Sequence, residues 1–323
     1  MVGSSMRKAE LPEASIPGVY VSVPELMALE HKAAGLTFLP RRTSRSVLSG
    51  RHTSRMRGRG LNFEEIRDYL PGDDIRNLDW KVTLRLGKPH VRTYTEERDR
   101  PALFVIDQRM PMFFGSRLAL KSVAAAQVAA LGAWMVLHAG DRVGAMVFND
   151  HEIRHIRPHR SRSRVEALCR AVADMNRALA AGSPVHAEYS QLDRALERAL
   201  QAAHHDHFVC IVSDFAGMSE RTDQLLRELR VHNDLVAVLV FDPLARSAVG
   251  DGQLVVTEGT LQVEVNLNER QVREPLESFF AGRLQHVAAM LRRSDVPLLA
   301  IDSGEPVIEQ IRRLLGRRVP LVK

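Results

Sequence analysis

The sequence predicts an α/β fold: a doubly wound, mostly parallel sheet with helices on both faces, after an irregular, β-containing N-terminal region. Three observations carry this reading. Ala102-Leu103-Phe104-Val105-Ile106 is a short apolar run ending in Asp107, and a run apolar on both faces reads as a strand buried in a parallel sheet. A second such run, from Phe208 to Val212, leads into Asp214. Downstream of residue 100 strand-like and helix-like segments alternate, whereas nearly everything upstream is charged and irregular.

With 323 residues, 45% hydrophobic and 26% charged, the chain suits one large or two smaller globular domains. Its two cysteines, Cys169 and Cys210, lie in apolar surroundings and read as buried thiols in a reducing compartment rather than a disulfide. Residues 1–17 lack the apolar core of a signal peptide. The most apolar stretch, 122–137, falls short of the roughly 20 residues a bilayer requires. A cytoplasmic protein without a membrane span is expected.

The net charge of +6 is concentrated. Residues 31–63 hold Lys32, Arg41, Arg42, Arg45, Arg51, Arg55, Arg57 and Arg59 and no acid. Such a run grips phosphate, meets an acidic protein surface or is simply solvated. It has no interleaved aromatics and no helix module of the kind nucleic-acid binding normally brings.

In order, residues 1–40 read as a partly disordered lead-in with a short helix over 23–31, Pro24 in its first turn. Residues 41–100 form a charged region, and 101–323 the sheet domain. Within 61–81, Pro71-Gly72-Asp73 is turn chemistry, and acids and bases alternate with Phe63, Ile66, Tyr69, Ile75, Leu78 and Trp80. This pattern predicts a compact knot in which ion pairs cover a small apolar pad. Arg67, Arg76 and Arg85 are candidates to fork onto Asp73, Asp74, Asp79 or Glu96. The knot is either a scaffold or a partner site. Residues 90–97 alternate like an edge strand leading into the buried one.

Beyond Asp107, residues 117–138 are rich in Ala and Val and apolar nearly all round, as suits a helix packed on a sheet. A strand over 141–148 has a hairpin partner over 151–157. Helices follow at 162–179 and 191–203, then the strand at 207–214, a helix at 219–230 and a strand at 235–241. A hairpin over 253–266, a helix over 268–292, a strand over 296–301 and a helix over 305–315 close the chain. Strands alternating with helices imply right-handed parallel crossovers.

Two strand-terminal carboxylates, Asp107 and Asp214, fall where open α/β sheets gather ligands, and Ser190, just before a helix, is the candidate hydroxyl for a hard-oxygen Mg²⁺ site. His151, His155 and His159 recur every four residues, but the alternation around them and Pro158 argue strand, where such histidines are usually solvated. No nucleophile elbow, phosphate loop or dinucleotide fingerprint is present.

The chain resembles the bacterial domain-of-unknown-function 58 family, whose members carry a von Willebrand factor A-like domain. The upstream likeness rests on Gly58-Arg59-Gly60, Phe63-Glu64, Arg67-Asp68-Tyr69, Pro71-Gly72-Asp73-Asp74-Ile75-Arg76, Asp79-Trp80, Arg85 and Glu96. Downstream it rests on Phe104-Val105-Ile106-Asp107, Asp141-Arg142-Val143-Gly144, Ser190-Gln191-Leu192 and Val212-Ser213-Asp214. The resemblance implies a metal-ion-dependent adhesion site in which Asp107, Ser190 and Asp214 match the first aspartate, the threonine and the last aspartate. Arg109 and Pro111 stand where that site has serines, so two oxygens are lost and a cation is added. The site is thus expected to be degenerate, holding Mg²⁺ poorly, with no cofactor. Either the Arg109 guanidinium bridges Asp107 and Asp214 in the metal's place, or it points outward and the aspartates cap helices.

The resemblance implies a non-enzymatic adaptor working with a MoxR-type AAA+ ATPase in assembling or activating protein complexes. On that reading Arg41, Arg42, Arg45, Arg51, Arg55, Arg57 and Arg59 meet an acidic partner surface. The alternatives are a metal-dependent phosphoester hydrolase using Asp107 and Asp214, and nucleic-acid binding through the same arginines.

Overall fold

The computed structural model describes residues 17–36, 61–96, 100–180, 190–245, 253–257, 262–266 and 270–316. The chain divides into two units, residues 39–99 and the remainder.

The larger unit begins with α1 (Val23–Met27), started by a reciprocal cap between Ser22 and Glu25 with Pro24 in the first turn, and α2 (Glu30–Ala33). Residues 17–20, expected in the unstructured lead-in, are held in place. The Leu120 amide donates to the Gly18 carbonyl at 2.7 Å, and the Tyr20 hydroxyl to the Leu179 carbonyl at 2.9 Å. Gly18 adopts φ +81°, and a β-carbon there would stand 2.4 Å from the Leu118 carbonyl oxygen.

The smaller unit is a hairpin of β1 (Leu61–Asp68) and β2 (His90–Glu96), antiparallel, with its register shifting between Phe63 and Glu65. Between them runs α3 (Trp80–Leu86), capped by Asp79 and ended by Gly87 at φ +70°. The expected knot is therefore a regular strand and a helix joined by turns. Its apolar pad is covered only in part: Ile66, Tyr69 and Leu78 are half-buried, whereas Ile75 and Trp80 are each 63% exposed.

In the larger unit the alternation resolves into β3 (Pro101–Asp107), α4 (Lys121–His138), β4 (Arg142–Phe148), β5 (Ile153–His159), α5 (Arg162–Arg177) and α6 (Ser190–Ala202). It continues with β6 (Phe208–Ser213), α7 (Glu220–His232), β7 (Asp234–Phe241), a separate hairpin of β8 (Gln253–Thr257) and β9 (Gln262–Asn266), α8 (Arg270–Arg293), β10 (Leu298–Asp302) and α9 (Val307–Gly316). The six-stranded sheet runs β10-β7-β6-β3-β4-β5, parallel except for β5 at one edge. The fold is Rossmann-like.

Side chains alternate across β3. Leu103 and Val105 join Met146, Val209, Leu192, Leu226 and Val287 in a core beneath α6, α7 and α8. Ala102, Phe104 and Ile106 face the other layer, where α4 packs with α5 and α9. All five are at most 1% exposed, and burying each of the larger ones stabilises by about 1.5–3 kcal/mol. The chain leaves β3 toward β4 on one side and reaches β6 on the other, so the strand order reverses between β3 and β6. Their carboxyl ends define the crevice where such sheets place ligands.

Candidate functional site: a charge cluster at the strand-order reversal

Asp107 ends β3, is fully buried, and accepts at every side. Its Oδ1 receives the Arg109 backbone amide at 3.0 Å, and its Oδ2 the Ser213 hydroxyl of β6 at 2.6 Å. The Arg109 side chain folds back onto it. Nε lies 3.0 and 3.2 Å from the two oxygens, and Nη2 lies 2.7 Å from Oδ2 and 3.2 Å from the Ala216 carbonyl. The guanidinium also stands 5.5 Å from the centre of the Phe148 ring. Burial would pull the Arg109 pKa down, but the Asp107 charge outweighs it and holds the guanidinium firmly protonated.

Asp214 follows β6 and is paired differently. Its Oδ1 accepts the Ala216 amide at 2.8 Å, while its Oδ2 lies 2.6 Å from Lys121 Nζ and 3.3 Å from Arg283 Nη2. Burial would raise its pKa, but Lys121, Arg283 and Arg109 together hold the carboxyl well below the usual carboxylate range. Of the two arrangements the sequence left open, neither a single guanidinium bridging both aspartates nor an outward-pointing Arg109 is found; three cations share the two carboxylates. Arg109 is spent on the aspartate two residues before it, and Lys121 at the start of α4 reaches the other.

The loop that leaves β6 is strained. Phe215, buried in the core, holds φ +54°, a left-handed conformation costing a non-glycine residue roughly 1–2 kcal/mol. Its amide donates to Ser213 Oγ at 2.8 Å, aiming that hydroxyl at Asp107. On the opposite rim Asp150 accepts the Met110 amide at 2.7 Å, and burial raises its pKa. A buried amide relay ties the crevice to the N-terminal segment. Gln108 Nε2 donates to the Ser122 carbonyl, Asn176 Nδ2 to Gln108 Oε1, and the Val21 amide to Asn176 Oδ1.

The remaining sequence candidates fall in several places. Pro111 lies in a 3₁₀ turn, Met110–Met112. Ser190 is exposed at the start of α6, and among the described residues no hydrogen bond joins it to Asp107 or Asp214; its buried neighbour Gln191 donates to the Asn149 carbonyl. A divalent cation needs several hard oxygens with free lone pairs. Here both carboxylates are saturated by protein cations and amides, and Arg109 and Pro111 supply no side-chain oxygen, so the donor set does not fit Mg²⁺.

The upstream signature residues cluster in the smaller unit. Arg67 forks onto Asp73 with two contacts of 2.8 Å, and Asp73 also accepts the Leu70 amide. Gly72 takes φ +109° in the turn, and Asp74 caps the next turn by accepting the Arg76 amide. Tyr69 is fixed through its amide to the Pro89 carbonyl. Asp79 binds the amides of Lys81 and Val82 and pairs with Arg92 at 2.7 Å. Arg76 and Arg85, expected to fork onto carboxylates, instead point to solvent, and Arg92 takes the role at Asp79. Glu96 ends β2. Arg41, Arg42, Arg45, Arg51, Arg55, Arg57 and Arg59 lie outside the described residues.

Sequence reasoning missed Lys121, Ser213, Gln108 and Arg283. Lys121 carried a signal, being a lone cation heading an otherwise apolar helix, where an unpaired charge is not tolerated. Arg283 carried none.

The chain is similar to Uncharacterized protein Mb1516 of Mycobacterium bovis and Uncharacterized protein Rv1480 of Mycobacterium tuberculosis, each 27% identical over 274 residues, 84% of either chain. A crystal structure of the conserved hypothetical protein BatB from Bacteroides thetaiotaomicron aligns with a TM-score of 0.40 and 11% identity, over 68% of this chain and 100% of that one. The model of one family, described as Protein of unknown function DUF58, matches residues 65–285, and the chain belongs to that family.

Proposed function

We propose that this protein is a non-enzymatic interaction module, an adaptor that works with a MoxR-type AAA+ ATPase in the cytoplasm. The observation carrying the reading is the internal neutralisation of the crevice. Asp107 and Asp214 sit where the fold would present a ligand site, and both are bound by cations of the chain itself. A hydrolase using these carboxylates would first have to strip Arg109 and Lys121 from them. The buried thiols are also unsuited to nucleophilic work, since burial pushes both up to about 12. Among the described residues no helix is long and apolar enough to cross a membrane. The von Willebrand A-like character and the ATPase partner rest on the family resemblance.

Co-purification from the native host, with and without ATP, tests the proposal. Recovery of an AAA+ ATPase whose association changes with nucleotide is the expected result. Hydrolysis of a phosphoester by the pure protein, abolished by Asp107→Ala, would overturn it.

A further inference from the structure

Among the described residues, five of the seven exposed large apolar side chains belong to the smaller unit, the other two being Leu118 and Val231. Leu70, Ile75, Trp80, Leu84 and Leu86 are between 53% and 82% exposed, all within the smaller unit. Trp80 and Leu84 lie one helical turn apart on α3, so they form one surface. Exposed apolar clusters of this kind mark contact sites, and tryptophan is among the residues that contribute most when buried in an interface.

Among the described side chains the charges around the cluster are unbalanced. Asp73 is paired with Arg67 and Asp79 with Arg92 and the α3 amides, Asp68 lies 3.1 Å from His90 Nε2, and Asp74 accepts the Arg76 amide. Four cations have no such partner. Arg76, Lys81, Arg85 and Lys88 are all exposed and make no ion pair among the described residues. The surface is also rigid. Asp79 caps α3 and is itself pinned by Arg92, Thr83 Oγ1 accepts the His90 amide at 3.0 Å, and Gly87 closes the last turn. A pre-formed surface avoids part of the ordering cost of binding.

We propose that α3 and the turn before it are the docking pad for an amphipathic protein segment with an acidic and an apolar face. This deepens the interaction-module reading, on which it rests, by naming the chemistry of the partner. Apolar side chains of that segment would cover Trp80 and Leu84 while its carboxylates meet Arg76, Lys81, Arg85 and Lys88. A membrane fits less well. The helix has only seven residues, so its apolar face would cover little of a bilayer surface.

The two tryptophans make the test direct, because Trp134 is fully buried and Trp80 is the exposed reporter. The full chain is titrated with a synthetic helical peptide carrying glutamate on one face and leucine on the other, with the same peptide bearing lysine for glutamate, and with phosphatidylserine vesicles. The acidic peptide is expected to blue-shift the emission and protect it from acrylamide, the effect fading with salt. Affinity is expected to fall on the order of tenfold in a Lys81→Glu/Arg85→Glu variant. In Trp80→Phe the shift should vanish. Equal binding of the lysine peptide, a response to vesicles alone, a shift persisting in Trp80→Phe, or a Trp80 already shielded in the free chain would each overturn the pad. Normal ATPase co-purification by a Trp80→Ser/Leu84→Ser variant would remove the pad and leave the adaptor reading intact. Peptide binding without any co-purifying ATPase would do the reverse.

Discussion

Arg109 Nη2 lies 2.7 Å from Asp107 Oδ2, between side chains only 1% and 0% exposed. The pair sits at the strand-order reversal, the position most exposed to ligands in folds of this type, yet it is closed to solvent. Removing one member of a buried pair leaves an uncompensated charge. Arg109→Met is therefore expected to destabilise the larger unit by about 3–5 kcal/mol in urea unfolding. Adding Asp107→Asn should recover part of that loss, giving a double variant more stable than Arg109→Met alone.

Asp214 and Asp150 predict opposite pH effects. The Asp214 carboxyl is held below its usual range, so its contribution is present above about pH 4 and lost as acid titrates toward its lowered pKa. Asp214→Asn should be less stable at neutral pH and show a shallower acid slope. The Asp150 pKa is raised by burial, so its ionisation costs stability as pH rises through its folded pKa. Asp150→Asn, still able to accept the Met110 amide, should be more stable than the parent at pH 7 and equal to it near pH 3. Denaturant midpoints across pH decide both.

Millimolar Mg²⁺ or Mn²⁺ should leave the melting temperature unchanged. A cation bound between Asp107 and Asp214 at a hundred times its Kd would add about 2.7 kcal/mol, which differential scanning calorimetry detects readily.

Cys169 and Cys210 are both buried, with thiol pKa values pushed up to about 12. Ellman's reagent at mild alkaline pH should find no reactive thiol in the folded protein and both after denaturation. Rapid reaction in the native state would show that these segments open locally.

Gly144 of β4 is needed for space. A β-carbon there would stand 2.7 Å from Pro158 Cγ on β5, at the point where the pairing of the two strands shifts register. Gly144→Ala should cost about 1–3 kcal/mol, and Pro158→Ala in that background should restore part of it.

Much of the architecture was legible locally. Apolar runs such as residues 102–106 and 208–212, short and rich in β-branched and aromatic residues, read as buried strands, and Arg162–Arg177 and Glu220–His232 show a helical period bounded by polar residues. In the smaller unit the alternation of charge and bulk disguised β1 and α3. Residues 61–65 carry no strict period of two, and α3 has one apolar flank turned outward instead of inward.

The sequence by itself determined that two aspartates end buried strands and that an arginine stands two residues beyond the first. Those facts depend on neighbours along the chain. Which cation answers which carboxylate was decided by the tertiary structure. Asp214 meets Lys121 and Arg283, residues 93 and 69 positions away, because parallel crossovers bring the starts of α4 and the middle of α8 to the end of β6. Periodicity reports which face of an element is buried, whereas partners so distant in sequence are chosen only when the layers close over a sheet whose strand order reverses there.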